Sequence, residues 1–113
     1  MNNKYFKKIK VLLEQAVPRL ATPQQLTFKN VFGAVGGYVH DHIFIAFGRF
    51  GIALKLPPEI LDNLFQEKGV KHLKYFPKGH IKKEYAVLPK RMIEDKTYFK
   101  KLIHQSIKHA LSS

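Results

Sequence analysis

The stretch that decides the fold runs from Leu26 to Leu56, LTFKNVFGAVGGYVHDHIFIAFGRFGIALKL. Its apolar residues fall in short runs rich in β-branched and aromatic side chains, punctuated by Gly33, Gly36, Gly37, Gly48 and Gly51. Such residues suit a pleated, half-buried surface, and glycine supplies the backbone freedom of tight turns. The pattern predicts three antiparallel strands, Tyr38 to His40, Ile43 to Phe47 and Gly51 to Leu56, joined at Asp41-His42 and at Gly48-Arg49-Phe50. Leu26 to Phe32 is expected to add a short edge strand.

On both sides of this stretch the period changes to helical. Upstream, Phe6, Ile9, Leu12, Leu13, Ala16, Val17 and Leu20 recur at steps of three and four, one apolar stripe on a helix. Pro18 interrupts it, so the helix is placed to end near Val17, with Ala21 to Gln25 as a connector. Downstream, Pro57-Pro58 stops the last strand, and Pro58 suits the first turn of a helix whose apolar face is Ile60, Leu61, Leu64 and Phe65. Gly69 is expected as its left-handed cap. A hairpin follows, His72 to Phe76 and Ile81 to Leu88 around Pro77-Lys78-Gly79-His80. Asp95 is expected to cap a final helix carrying Phe99, Leu102, Ile103, Ile107, Ala110 and Leu111 on one face.

The fold class expected is therefore α+β: two layers, an antiparallel sheet of about five strands with helices packed on it, in the order α-β-β-β-α-β-β-α. Residues 1–113 read as a single domain, long enough to bury roughly two-thirds of the unfolded surface.

Composition narrows the function classes. The chain has no Cys, which excludes disulfides, thiolate metal sites and thiol nucleophiles, and fits a reducing, cytoplasmic setting. The basic N-terminus is followed by no uninterrupted apolar run, so no export signal is expected. The apolar run Ile43 to Phe47 is far short of the roughly 20 residues a spanning helix needs, so no membrane partner is expected.

The net charge of +12 is unevenly spread: +4 in residues 1–10, zero from 11 to 64, and +8 from 65 onward. Lys4, Lys7, Lys8, Lys71, Lys74, Lys78, Lys82 and Lys83 are the candidate nucleic-acid contacts, with Tyr75 and Phe76 available to stack on a base. A plain solvated lysine face is the competing reading. The only arginines are Arg19, Arg49 and Arg91, and base readout favours the arginine fork, so such binding would be weakly specific.

Other motifs carry little chemistry. Gly33-Ala34-Val35-Gly36-Gly37 has neither dinucleotide nor P-loop spacing and reads as a turn or bulge. His40, Asp41 and His42 form the best metal-like cluster, but they sit at an expected turn without H-x-x-x-H spacing. Ser106 lies among core positions of the last helix, with no nucleophile elbow around it. Glu94-Asp95 suit a helix N-terminus better than paired acid-base work. No catalytic residue, metal or cofactor is expected.

Phe32-Gly33, Gly36-Gly37-Tyr38, Ile43-Phe44-Ile45-Ala46 and Leu54-Lys55-Leu56, followed by Tyr85-Ala86-Val87-Leu88-Pro89 and Ile93-Glu94-Asp95, resemble the TfoX/Sxy N-terminal domain pattern. The resemblance runs over about residues 9 to 111 in order and spacing. It implies a stand-alone N-terminal module of a family linked to competence and gene regulation, with Phe32, Gly33, Gly36, Gly37, Tyr38, Leu54 and Lys55 as its motif loop. YjbR-like proteins share a similar architecture, and Leu102 to Ser106 resembles their helix, so that neighbour stays open. The function implied is a non-catalytic regulatory or interaction module with a protein partner or as a homodimer; the alternative is a weakly specific nucleic-acid binder.

Overall fold

The computed structural model describes residues 3–17 and 26–112. Helix α1 (Asn3–Ala16) leads into four strands, β1 (Leu26–Val31), β2 (Ala34–Val39), β3 (His42–Gly48) and β4 (Gly51–Lys55). Helix α2 (Pro58–Leu64) precedes β5 (Lys71–Leu73) and β6 (Lys82–Leu88), and α3 (Lys90–Glu94) and α4 (Lys96–Leu111) close the chain. The predicted connector Ala21 to Gln25 and the stripe residue Leu20 lie outside the described residues.

The six strands form one sheet in the order β1-β2-β3-β4-β6-β5, every neighbour antiparallel. Alternation along the strands sends Ile52, Leu54, Ala86 and Leu88 to one face, where Ile9 and Leu13 of α1, Leu61 and Leu64 of α2, and Phe99, Leu102, Ile103 and Ile107 of α4 close the main core. Ala53, Tyr85 and Val87 point to the other face, where they pack with Leu73 and Tyr75. The central strands β3, β4 and β6 are thus packed on both sides, which is why Ile43 to Phe47, Ile52 to Leu54 and Tyr85 to Leu88 read as continuous apolar runs rather than a clean alternation.

One irregularity shapes the main core. The β2–β3 register shifts between Gly37, opposite Ile45, and Tyr38, opposite Ile43, leaving Phe44 as the extra residue of a bulge. Phe44 and Ile45, consecutive in sequence, are both fully buried in the helix-side cluster, while Ile43 packs in the cluster on the opposite face.

The structure adjusts several boundaries. β2 begins at Ala34 rather than Tyr38, and its turn to β3 sits at His40-Asp41, both with positive φ (48° and 65°), one residue before the expected position. A mirror-image two-residue turn needs two left-handed residues, and His and Asp tolerate that region better than branched side chains do. Helix α2 ends at Leu64 with Phe65 as its cap, and Gly69, at φ 87°, turns the chain four residues later. Helix α3 was not expected: Pro89 opens it, and Asp95 then caps α4 as expected, its carboxylate accepting from the Tyr98 N–H at 3.2 Å.

Candidate functional site

Two turns and a returning segment meet at one end of the sheet. The β1–β2 connection is Phe32-Gly33, with φ of 48° and 82°. A phenylalanine in left-handed backbone is unusual, because its Cβ crowds the following carbonyl at a cost of about 1–2 kcal/mol. Yet the Phe32 side chain is 63% exposed, so core burial does not account for it. The β3–β4 connection is Arg49-Phe50, closed by Gly51 at φ 101°, as in a turn followed by a glycine bulge.

The third element is the segment after β5. Instead of turning directly into β6, the chain runs back across the sheet face opposite the helices and brings Tyr75 and Phe76 to the two turns. The Tyr75 ring lies 5.3 Å from Phe32 and 5.7 Å from Phe50, and Phe76 lies 5.8 Å from Phe32, centroid to centroid. These distances suit edge-on aromatic contacts. Beneath them the sheet is built from small residues: a Cβ on Gly48 would come within 2.8 Å of the Phe50 ring and 2.9 Å of the Ala34 Cβ. The result is a groove of about 720 Å³ walled by Phe32, Phe50, Tyr75, Phe76 and Tyr5, with the cations Arg49 and Lys74 on its lining.

Burial pushes the Tyr75 hydroxyl up to about 12, with Tyr38 nearby adding to it, and pushes Tyr85 further up for the same reason. Both phenols are therefore neutral donors through the physiological range, and neither supplies an acid or base near pH 7. The groove's charge is carried by the two cations.

The candidate lysines separate into groups. Lys74 lines the groove, Lys78 sits on the same returning segment, and Lys71, Lys82 and Lys83 lie on the β5–β6 ladder; all five are exposed and take part in no ion pair among the described residues. Lys4, Lys7 and Lys8 sit on α1, in the helical layer on the other side of the sheet. The terminal helices α1 and α4 pack against each other in that layer.

The TfoX N-terminal domain model matches residues 19–110. The chain belongs to the TfoX N-terminal domain family. No curated protein and no solved structure matches at a significant level. As a TfoX N-terminal domain, the chain has an open six-stranded antiparallel sheet with helices on it, an α+β fold.

The family-motif residues do not form one loop. Phe32 and Gly33 make the turn at the groove, whereas Gly36, Gly37 and Tyr38 lie within β2, and Leu54 and Lys55 within β4. The two strand glycines serve close packing: a Cβ on Gly37 would lie 2.7 Å from Ile45 Cγ2, and one on Gly36 3.0 Å from Ile43 Cδ1. Lys29 Nζ stands 5.0 Å over the Tyr38 ring, and Lys55 pairs with Glu84 at 3.4 Å. Among the described residues no group of three His, Asp or Glu side chains is placed to hold a metal, and no helix is long and apolar enough to cross a membrane.

Sequence reasoning missed Arg49 and Phe50 as site residues. A signal existed: a phenylalanine in a turn between two glycines runs against the expectation of a polar turn.

Proposed function

We propose that this TfoX N-terminal domain is a non-catalytic interaction module, acting inside the cell, that engages a protein partner through the aromatic groove at the turn end of the sheet. Phe32 carries the reading. Its backbone conformation costs stability and its ring is mostly in water, a combination that a binding surface explains and a folding requirement does not. Aromatics beside an arginine are the residue types that dominate binding energy at protein interfaces. The polar chemistry fits a binding role: the buried polar side chain of the core, Ser106, is spent on backbone carbonyls, and the groove offers fixed cations and neutral phenols. The homodimer version of the reading has its place at β1 and β5, the outermost strands of the sheet.

The test is a photo-crosslinking residue in place of Phe76, which is 53% exposed, with Leu111, 51% exposed at the end of α4, as the control position. The reading expects a discrete, protease-sensitive adduct from position 76 alone. Equal adducts from both positions, or none from 76, overturn it.

A second reading, weakly specific nucleic-acid binding, is favoured by a separate observation: five exposed lysines, in no ion pair among the described residues, lie on β5, β6 and the segment between them, and one of them, Lys74, lines the groove. Lysine is depleted in protein interfaces and suits phosphate contacts. A nuclease-sensitive adduct from position 76 selects this reading over the first.

A further inference from the structure

Helix α1 carries an apolar residue, Val11, that lies outside its buried stripe. At about 100° per residue, Val11 lies about 200° around the helix from the fully buried Ile9, among Lys7, Lys8, Lys10 and Glu14, and it is 50% exposed. A β-branched residue on an exposed helix face gains nothing from packing and is a poorer helix former than alanine.

Val11 stands on the wall of an open groove of about 760 Å³ between α1 and α3, distinct from the aromatic groove. Ile52 and Leu88 form its buried floor; Leu12 joins Val11 on one wall, Ile93 forms the other, and Phe47 closes the end. The Phe47 ring packs on Tyr5 at 5.4 Å, and this pair separates the two grooves. Lys7, Lys8 and Lys90 stand on the rim against one carboxylate, Glu94, which is tied to Lys90 at 3.6 Å.

We propose that this groove seats an acidic amphipathic helix of a partner protein. The apolar floor asks for an apolar stripe, and the cationic rim asks for carboxylates flanking it, the pairing by which amphipathic helices dock in grooves. A second copy of the chain is a poor occupant, since it would bring a further net charge of +12 to a lysine rim. A nucleic acid is a poor one too, because floor and walls are aliphatic and the one aromatic of the lining, Phe47, is packed on Tyr5. The groove is open along its length, which suits a helix about 10 Å across rather than an enclosed small molecule.

The probe is a labelled synthetic peptide of about 18 residues, about five helical turns, with leucines at i, i+3, i+4 and i+7 and glutamates on both flanks. Its controls are a scramble of identical composition and a version with lysine for glutamate. The proposal expects the designed peptide to bind at least about tenfold tighter than the scramble and the lysine version to fail. Val11→Glu, with helical circular dichroism unchanged, is expected to weaken binding by about tenfold or more, and Val11→Ala by less, whereas Phe32→Asn leaves it unaltered. Peptide-induced amide shifts should centre on residues 7–12 and 90–94. Equal affinity for designed and scrambled peptides would show attraction to net charge alone and overturn the proposal. So would an inert Val11→Glu, or shifts centred on the Phe32 turn. Failure at Val11 leaves the aromatic groove untouched, since that groove shares no lining residue with this one and its own test uses position 76.

Discussion

The hydroxyl of Ser106 in α4 lies 2.7 Å from the carbonyl oxygen of Phe44, the extra residue of the β3 bulge. It lies equally close, 2.7 Å, to the carbonyl of Lys55, where β3 and β4 have ceased to pair. One hydroxyl thus sits between two carbonyls at the end of the β3–β4 pairing, at a site with no exposure. The bulge that turns Phe44 into the core is tied off by the helix that packs on it.

Ser106→Ala removes the hydroxyl that both carbonyls share at a fully buried site, which costs about 1–3 kcal/mol. Chemical denaturation should show a lower midpoint with an unchanged slope. An unaltered midpoint would mean that the carbonyls find another donor.

Gly37 faces Ile45 so closely that a methyl would sit 2.7 Å from its Cγ2, within a strand pair whose spacing the ladder fixes. Gly37→Ala is expected to destabilise by about 1–3 kcal/mol through overpacking, despite alanine's lower backbone entropy. A thermal midpoint equal to or above that of the parent would refute the close approach.

Asp95 caps α4 through the Tyr98 N–H. Asp95→Ala should cost about 1 kcal/mol and Asp95→Asn much less, because asparagine caps nearly as well. Equal losses in the two variants would assign the effect to charge instead.

Tyr75, its hydroxyl pushed up to about 12 by burial, gives a pH dependence of known sign. Its ordinary value is near 10, so the folded state resists ionisation more than the unfolded chain does. The contribution is intact below about pH 10 and is lost as pH rises toward 12. The thermal midpoint should therefore fall over that window in the parent, and by less in Tyr75→Phe. Identical alkaline profiles would contradict the burial of this phenol.

If phosphates are bound, each contact releases counterions, and affinity for a labelled single-stranded oligonucleotide should fall steeply between low and physiological salt. Replacing Lys71, Lys74 and Lys78 by glutamine should flatten that dependence, more than the same change at Lys4, Lys7 and Lys8. Unchanged oligonucleotide mobility at low salt would eliminate the nucleic-acid reading.

Much of the architecture is legible in the sequence, because its causes are local. The helical stripe from Phe6 to Val17, the stop at Pro57-Pro58 and the cap at Asp95 act within a few residues, and the structure places each where expected. Gly36 and Gly37 read as part of a turn or bulge; the structure places them inside β2 beside a bulge, for a reason that is not local: Ile43 and Ile45 on the next strand leave no room for a side chain. The short helix α3 lacked a full apolar period and went unseen. The candidate groove was legible only in part. Phe32, Tyr75 and Phe76 attract notice as aromatics, but their meeting depends on the return of the segment after β5, a path that neither period nor propensity encodes. Arg49 and Phe50 join them only through strand pairing.

The most direct test of the central claim is Phe32→Asn, measured for both stability and crosslinking from position 76. Asparagine suits the left-handed turn, so relief of about 1–2 kcal/mol of strain offsets the loss of ring contacts worth about 0.5–1.5 kcal/mol. The account predicts stability within about 1 kcal/mol of the parent and loss of the position 76 adduct. An adduct of undiminished yield, or a fold that collapses without Phe32, would contradict it.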